Sequence, residues 1–112
     1  MIKMKLVDQR SKKFQEIQGL KISVGSLKNA QKNVPAWIVN EETKKAVTAI
    51  ISCVEKHKND AEFPREEVRM LVNSFREAIE ERDPRGTNLL QRKINEVTSF
   101  WANKPSDIMI AS

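Results

Sequence analysis

The sequence predicts a mainly α protein, built as a three-helix bundle with a small β element or an extended basic segment at its N-terminus. Three stretches in the second two-thirds of the chain repeat apolar residues at helical spacing, and cap or turn residues separate them. The first third instead alternates apolar and polar residues in two places. We therefore divide the 112 residues, a length typical of one domain, into a basic N-terminal segment (1–33), a three-helix unit (34–104) and a C-terminal tail (105–112).

The N-terminal segment is the hardest part of the chain to interpret. Residues 2–6 (IKMKL) and 20–24 (LKISV) alternate in the manner of strands. Residues 9–18 fit a short helix that ends at Gly19, but they also fit a strand. We expect a small two-stranded sheet that packs on the bundle, which would make the fold α+β. The pattern leaves open whether residues 1–33 belong to the core or form an appendage.

The first predicted helix covers residues 41–58. Asn40 is a good N-cap, and Glu41 and Glu42 follow it in the first turn, where the helix dipole favours negative charge. The apolar residues of this segment, from Val47 to Val54, form one stripe at helical spacing. The preceding VPAWIV segment (34–39) is predicted to dock on the bundle, with Trp37 as an anchor in the core.

Two further helices follow. The second covers residues 64–82, with Pro64 suited to its first turn. The sequence DPRG (83–86) indicates a turn, after which Thr87 or Asn88 can cap the third helix. The third helix ends before Pro105, and Trp101 is predicted to lie in the core.

Positive charge is concentrated in the first third of the chain. Residues 1–33 hold eight basic and two acidic side chains, while the whole chain has a net charge of +5. Lysine-rich surfaces bind the phosphate backbone of nucleic acids without reading sequence, and an aromatic ring among them can stack on a base. The candidate binding residues are Lys12, Lys13, Lys21, Lys28, Lys32 and Phe14.

An acidic protein surface is the alternative partner. The protein would then be an adaptor or inhibitor, small and regulatory, that uses an exposed helix face. An acidic cluster lies at the end of the second helix, where the helix dipole disfavours negative charge. The pattern leaves two interpretations open: exposed charges that cost little and have no role, or a cluster that faces a cation of this chain or of a partner. The cluster consists of Glu77, Glu80, Glu81 and Asp83.

The sequence gives little reason to expect an enzyme, a metal or a cofactor. Cys53 and His57 share a helix face, but the chain contains no other Cys or His to complete a zinc site. A Cys–His nucleophile pair would also need an orienting group. We therefore expect a small buried thiol and an imidazole at the edge of the core. The three glycines are scattered and form no phosphate-binding loop.

Composition favours a cytoplasmic protein that does not bind a membrane. No apolar run approaches the roughly 20 residues of a membrane span, and the N-terminus lacks the apolar core of a signal peptide. Cys53 is the single cysteine, so no intramolecular disulfide can form. The sequence leaves open the oligomeric state and the choice between DNA and RNA.

Overall fold

The computed structural model describes the backbone of residues 2–103 and the side chains of residues 12–103. Four helices cover most of this range: α1 (Ile2–Gln31), α2 (Glu41–His57), α3 (Arg65–Glu80) and α4 (Pro84–Ala102). Residues 2–103 contain no strand. The prediction of a mainly α protein is therefore confirmed. The predicted tail, residues 105–112, lies outside the described residues.

The prediction of a β element near the N-terminus was wrong, because the two segments expected to form strands, residues 2–6 and 20–24, both lie within α1. Leu20, Val24 and Leu27 are buried at spacings of four and three residues, which place them on one face of a helix. Ile22, which a strand would put on the same face as Leu20, is 67% exposed. The alternation of residues 20–24 is thus a short coincidence within a helical stripe.

The first helix lies against α3 and runs in the same direction. Glu16 accepts a hydrogen bond from Arg65 at 3.1 Å, and three residues further along α1 the backbone of Gly19 lies beside Arg69. A Cβ atom added to Gly19 would lie 3.2 Å from the Cδ atom of Arg69, so the Arg69 side chain would have to shift by a few tenths of an ångström to accept it. The sequence had suggested that Gly19 ends a short helix, but α1 continues through Gly19 to Gln31. At Gly19 the backbone of α1 lies close to the Arg69 side chain of α3.

The start of α2 agrees with the prediction. The Asn40 side chain accepts a hydrogen bond from the Thr43 amide at 3.0 Å, as expected of an N-cap. The buried hydroxyl of Thr43 also donates to Gln91 Oε1 of α4 at 2.7 Å. This hydrogen bond joins the N-terminal halves of α2 and α4, and His57 and Ala102 at their C-terminal ends line one cleft, so these two helices also run in the same direction.

The last helix begins earlier than predicted. Asp83 is its N-cap, with a side chain that accepts from the Gly86 amide at 3.1 Å, and Pro84 occupies the first turn. We expected residues 83–86 to form a turn and Thr87 or Asn88 to cap the helix. The Asp-Pro pair is itself a strong helix start, because proline has the backbone angle of the first turn and loses no hydrogen bond there.

A single cluster of buried apolar residues joins the four helices. Helix α1 packs on α2 and α3, and α4 packs on the same two helices. Ile38 and Val39 of the segment between α1 and α2 are buried in this cluster, which confirms that the segment docks. Cys53 is buried in it as predicted. The prediction of an imidazole at the edge of the core was wrong, because the ring of His57 packs against two aromatic rings and is only 1% exposed. None of the helices in the described range is long and apolar enough to cross a membrane.

Candidate nucleic-acid interface

The candidate residues of the sequence lie on or just after α1. Lys12, Lys13, Phe14, Lys21 and Lys28 are exposed residues of that helix. Lys32 is exposed too and follows the helix end by one residue. The structure brings some of these side chains together on one side of the molecule and separates others.

Two of the lysines border a cleft between α1 and α2. Lys21 and Lys28 are two helical turns apart, or about 10 Å along the axis, and both line this cleft of about 250 Å³. Lys58, at the end of α2, lies on the same cleft. Its remaining lining residues are Val24, Gly25, Ile51, Val54 and Glu55.

A second cleft continues along the same side of the molecule. It has a volume of about 490 Å³ and includes Lys32 and Lys44. It starts one helical turn beyond the first cleft, since Lys32 follows Lys28 and Thr48 precedes Ile51. Its other lining residues are Gln31, Val34, Ala36 and Val39. We call the basic side chains of both clefts the lysine edge: Lys21, Lys28, Lys32, Lys44 and Lys58.

The lysine edge carries a clear excess of positive charge. Glu55 is the one acidic side chain among the described lining residues of the two clefts. Lys44 also lies 3.7 Å from Glu41, but both side chains are exposed, and such pairs contribute little. Among the residues that the structure describes, none forms an ion pair with Lys21, Lys28, Lys32 or Lys58 that would have to loosen before the lysine binds an anion.

Lys12 and Lys13 do not belong to the lysine edge. Neither lines the two clefts. The charge of Lys12 acts instead on Glu66 of α3, where it helps the Arg69 hydrogen bond to lower the pKa of that carboxyl group. The prediction that grouped these two lysines with Lys21 and Lys28 assumed that one stretch of sequence forms one surface.

Two exposed aromatic side chains lie near this side of the molecule. Phe14 is 62% exposed and precedes Lys21 by two helical turns, so both lie on one face of α1. Trp37 is 63% exposed and follows Ala36, a lining residue of the second cleft. The prediction that Trp37 anchors the core was wrong, whereas Trp101, at 5% exposure, is a core residue as predicted. Ile38 and Val39 dock the segment in place of Trp37.

The acidic cluster has partners within the C-terminal half of the chain. Arg76 forms ion pairs with Glu77 and Glu80 of its own helix. Asp83 caps α4. These three carboxylates therefore do not require the basic first third of the chain as a partner, although the sequence had suggested it.

Cation-rich clefts with nearby exposed aromatic rings can bind an anionic, ring-bearing chain, for which single-stranded nucleic acid is the common biological example. In residues 12–103, no three His, Cys, Asp or Glu side chains come together as a group that could hold a metal ion. The lysine edge, together with the nearby rings of Phe14 and Trp37, is therefore the candidate site. Sequence reasoning did not include Lys44, Lys58 and Trp37 among the candidate residues. Comparisons with family models, with curated proteins and with solved structures found no match to this chain.

Proposed function

We propose that this protein is a non-enzymatic binding protein that holds the backbone of single-stranded nucleic acid along its lysine edge. The observation that supports this most directly is the alignment of five lysines, from α1, α2 and the residues that directly follow these helices, beside clefts that contain one glutamate. Neutralised phosphates release their condensed counterions, which makes such lysines effective without base-specific contacts.

The type of basic residue favours binding without sequence preference. All five cations of the edge are lysines, which act as flexible point charges. Specific contacts to base edges usually use the planar, two-pronged guanidinium of arginine. We therefore expect affinity to depend on salt and on strand length and to vary little with base sequence.

The exposed aromatic rings favour a single strand over a duplex. Bases of a single strand can leave their stack and lie on Phe14 or Trp37, and each stacked base contributes about 1–3 kcal/mol. Paired bases of a duplex cannot reach these rings in this way. Duplex binding would then use the lysines alone.

The test is a fluorescence-anisotropy titration of labelled single-stranded and duplex probes over a salt series. Five phosphate contacts to a single strand give a log–log salt slope of about −3.5. Changing Lys21, Lys28, Lys44 and Lys58 to Gln removes four of the five charges and should flatten the slope by about 3. In the Trp37→Phe variant, binding should quench the tryptophan fluorescence of the protein less, because the indole of Trp37 is gone. The salt slope should stay the same, because the variant retains a ring at this position and all five lysines.

The matched control removes the same amount of charge elsewhere. Lys12, Lys13, Lys45 and Lys93 are exposed and do not line the two clefts. Their combined change to Gln should reduce affinity only slightly. An equal loss of affinity in the two quadruple variants would mean that the net charge of the protein, and not the lysine edge, drives binding. Absence of wild-type binding at 50 mM salt would refute the proposal, and the edge would then be tested as a docking surface for an acidic protein.

A further inference from the structure

The exposed face of α1 that borders the lysine edge has one gap in its side chains. The residues of this face include Lys21, Gly25, Lys28 and Lys32. Their spacings of four, three and four residues place them on the same side of the helix. Gly25 is exposed and lines the cleft of about 250 Å³ between α1 and α2. The backbone of α1 is therefore uncovered in this cleft, with a lysine one helical turn away on each side.

Nothing in the described part of the chain requires glycine at position 25. Glycine is among the least favourable residues in the interior of a helix, because it loses the most conformational freedom on folding. The φ angle of Gly25 is not positive, so its backbone is accessible to other residues. A Cβ atom added there would meet no atom of the described residues within 4 Å, whereas one added to Gly19 would meet Arg69. An uncovered backbone in a cleft allows a bound molecule to approach the helix closely.

The lining of the cleft separates apolar from charged groups. Three aliphatic residues, two of them buried and one partly buried, form its floor: Val24, Val54 and Ile51. The charged lining residues from α1 are both lysines, whereas α2 and the residue after it contribute Glu55 and Lys58. A phosphate is attracted to the lysines of α1, but the apolar floor disfavours a charge and Glu55 repels an anion. A flat, uncharged ring that carries N–H groups fits the interior of the cleft better.

We propose, on the basis of the function proposed above, that this cleft holds one nucleobase of the bound strand against the backbone of Gly25. The phosphates on either side of that nucleotide bind Lys21 and Lys28, whose flexible side chains start about 10 Å apart along the helix axis. The face of the base lies on the apolar floor, and an N–H group at its edge donates to the Glu55 carboxylate. Every base has such a face and at least one N–H group, so the cleft accepts any of them.

The first test replaces the glycine. Gly25→Ala adds a methyl group where the base would lie, so affinity for a labelled single strand of ten nucleotides should fall about threefold, and Gly25→Leu should lower it about tenfold. Both variants should fold, because the added atoms point into open space. The melting temperature of Gly25→Ala should rise by about 3–5 °C, since alanine favours the helix. The salt slope should stay unchanged, because neither variant alters a charge.

The matched control is Asn29→Ala. Asn29 is an exposed residue of α1, four residues after Gly25, and it lines neither cleft of the lysine edge. Alanine favours the helix here as well, so the melting temperature should rise. Affinity for the strand should change less than twofold. This control separates an effect of helix stability from an effect of the cleft.

The second test removes the bases from the probe. An abasic strand of ten sugar–phosphate units keeps every phosphate but offers nothing to insert. It should bind the wild-type protein more weakly than the normal strand, and Gly25→Leu should then reduce its affinity less than twofold. An equal effect of Gly25→Leu on both strands would mean that the sugar–phosphate backbone, and not a base, lies in the cleft.

The outcomes distinguish this inference from the proposed function. If the wild-type protein binds with the expected salt slope, and Gly25→Ala and Gly25→Leu bind equally well, the bases lie elsewhere. The cleft inference is then wrong and the proposed function stands. Absence of wild-type binding at 50 mM salt would refute both. If Gly25→Leu fails to fold, Gly25→Ala with the normal and abasic strands still decides.

Discussion

At the scale of single residues, Arg65 makes more connections than any sequence pattern suggested. Its Nε donates to Glu16 of α1 at 3.1 Å, and its Nη1 donates to the carbonyl oxygens of Lys58 and Asp60 at 3.2 Å each. The side chains of Arg65 and Glu16 are only 12% and 22% exposed. One guanidinium group thus joins α1, the loop after α2 and the start of α3.

We expect Arg65→Met to lower the free energy of unfolding by about 2–3 kcal/mol. The substitution leaves a partly buried carboxylate and two carbonyl groups without their donor, and hydrogen bonds to charged groups contribute about 1.5–3 kcal/mol. Arg76→Met is the control, because the pairs of Arg76 lie on the surface of one helix and should cost about 0.5 kcal/mol. Urea denaturation measures both, and similar losses would contradict the special role of Arg65.

At the scale of elements, α1 differs from the other three helices. Its apolar residues, taken over its whole length, spread around the helix and form no continuous stripe. Among the described side chains of α1, which begin at residue 12, Leu20, Val24 and Leu27 bury one helical face in the core. Helices α2, α3 and α4 each have a strong stripe, a cap or a proline at the start, and a clear end.

This difference explains which elements the sequence predicts. The stripes and caps of α2 and α3 gave their bounds to within two residues, because local spacing and tertiary packing agree there. In α1, residues 20–24 fit both a period of two and a helical face, and the contact with α3 decides between them. The lysine edge was not predictable in full, since Lys44 and Lys58 join Lys21 and Lys28 only when α1 and α2 pack together.

Paired substitutions in α1 test the helical face directly. Leu27→Ala should lower the free energy of unfolding by about 2–5 kcal/mol, because Leu27 is fully buried and its truncation leaves a cavity. Ile22→Ala should cost less than about 0.5 kcal/mol, since Ile22 is mostly exposed and alanine favours the helix. A large loss for Ile22→Ala, measured by thermal and urea denaturation, would support the strand alternative instead.

At the scale of the whole molecule, the question is whether the first third of the chain is needed for folding. Leu20, Val24 and Leu27 belong to the same buried cluster as residues of the other three helices. Full burial of such side chains contributes about 1.5–3 kcal/mol each. Together they account for a large part of the 5–15 kcal/mol by which a domain of this size is typically stable.

We therefore expect a fragment of residues 34–112 to lose cooperative unfolding. Without α1, the apolar faces of α2 and α3 that contact it would be exposed to water, and the ion pair of Arg65 would lose Glu16. Circular dichroism should show reduced helix content and a broad thermal transition, and size-exclusion chromatography should show association.

Adding a synthetic peptide of residues 12–33 in excess should restore a sharp transition, because it supplies the missing face. The same peptide with Leu20, Val24 and Leu27 changed to Ser should not. A fragment that unfolds sharply by itself, near the melting temperature of the full chain, would show that residues 1–33 are an appendage and that α2, α3 and α4 form a complete folding unit.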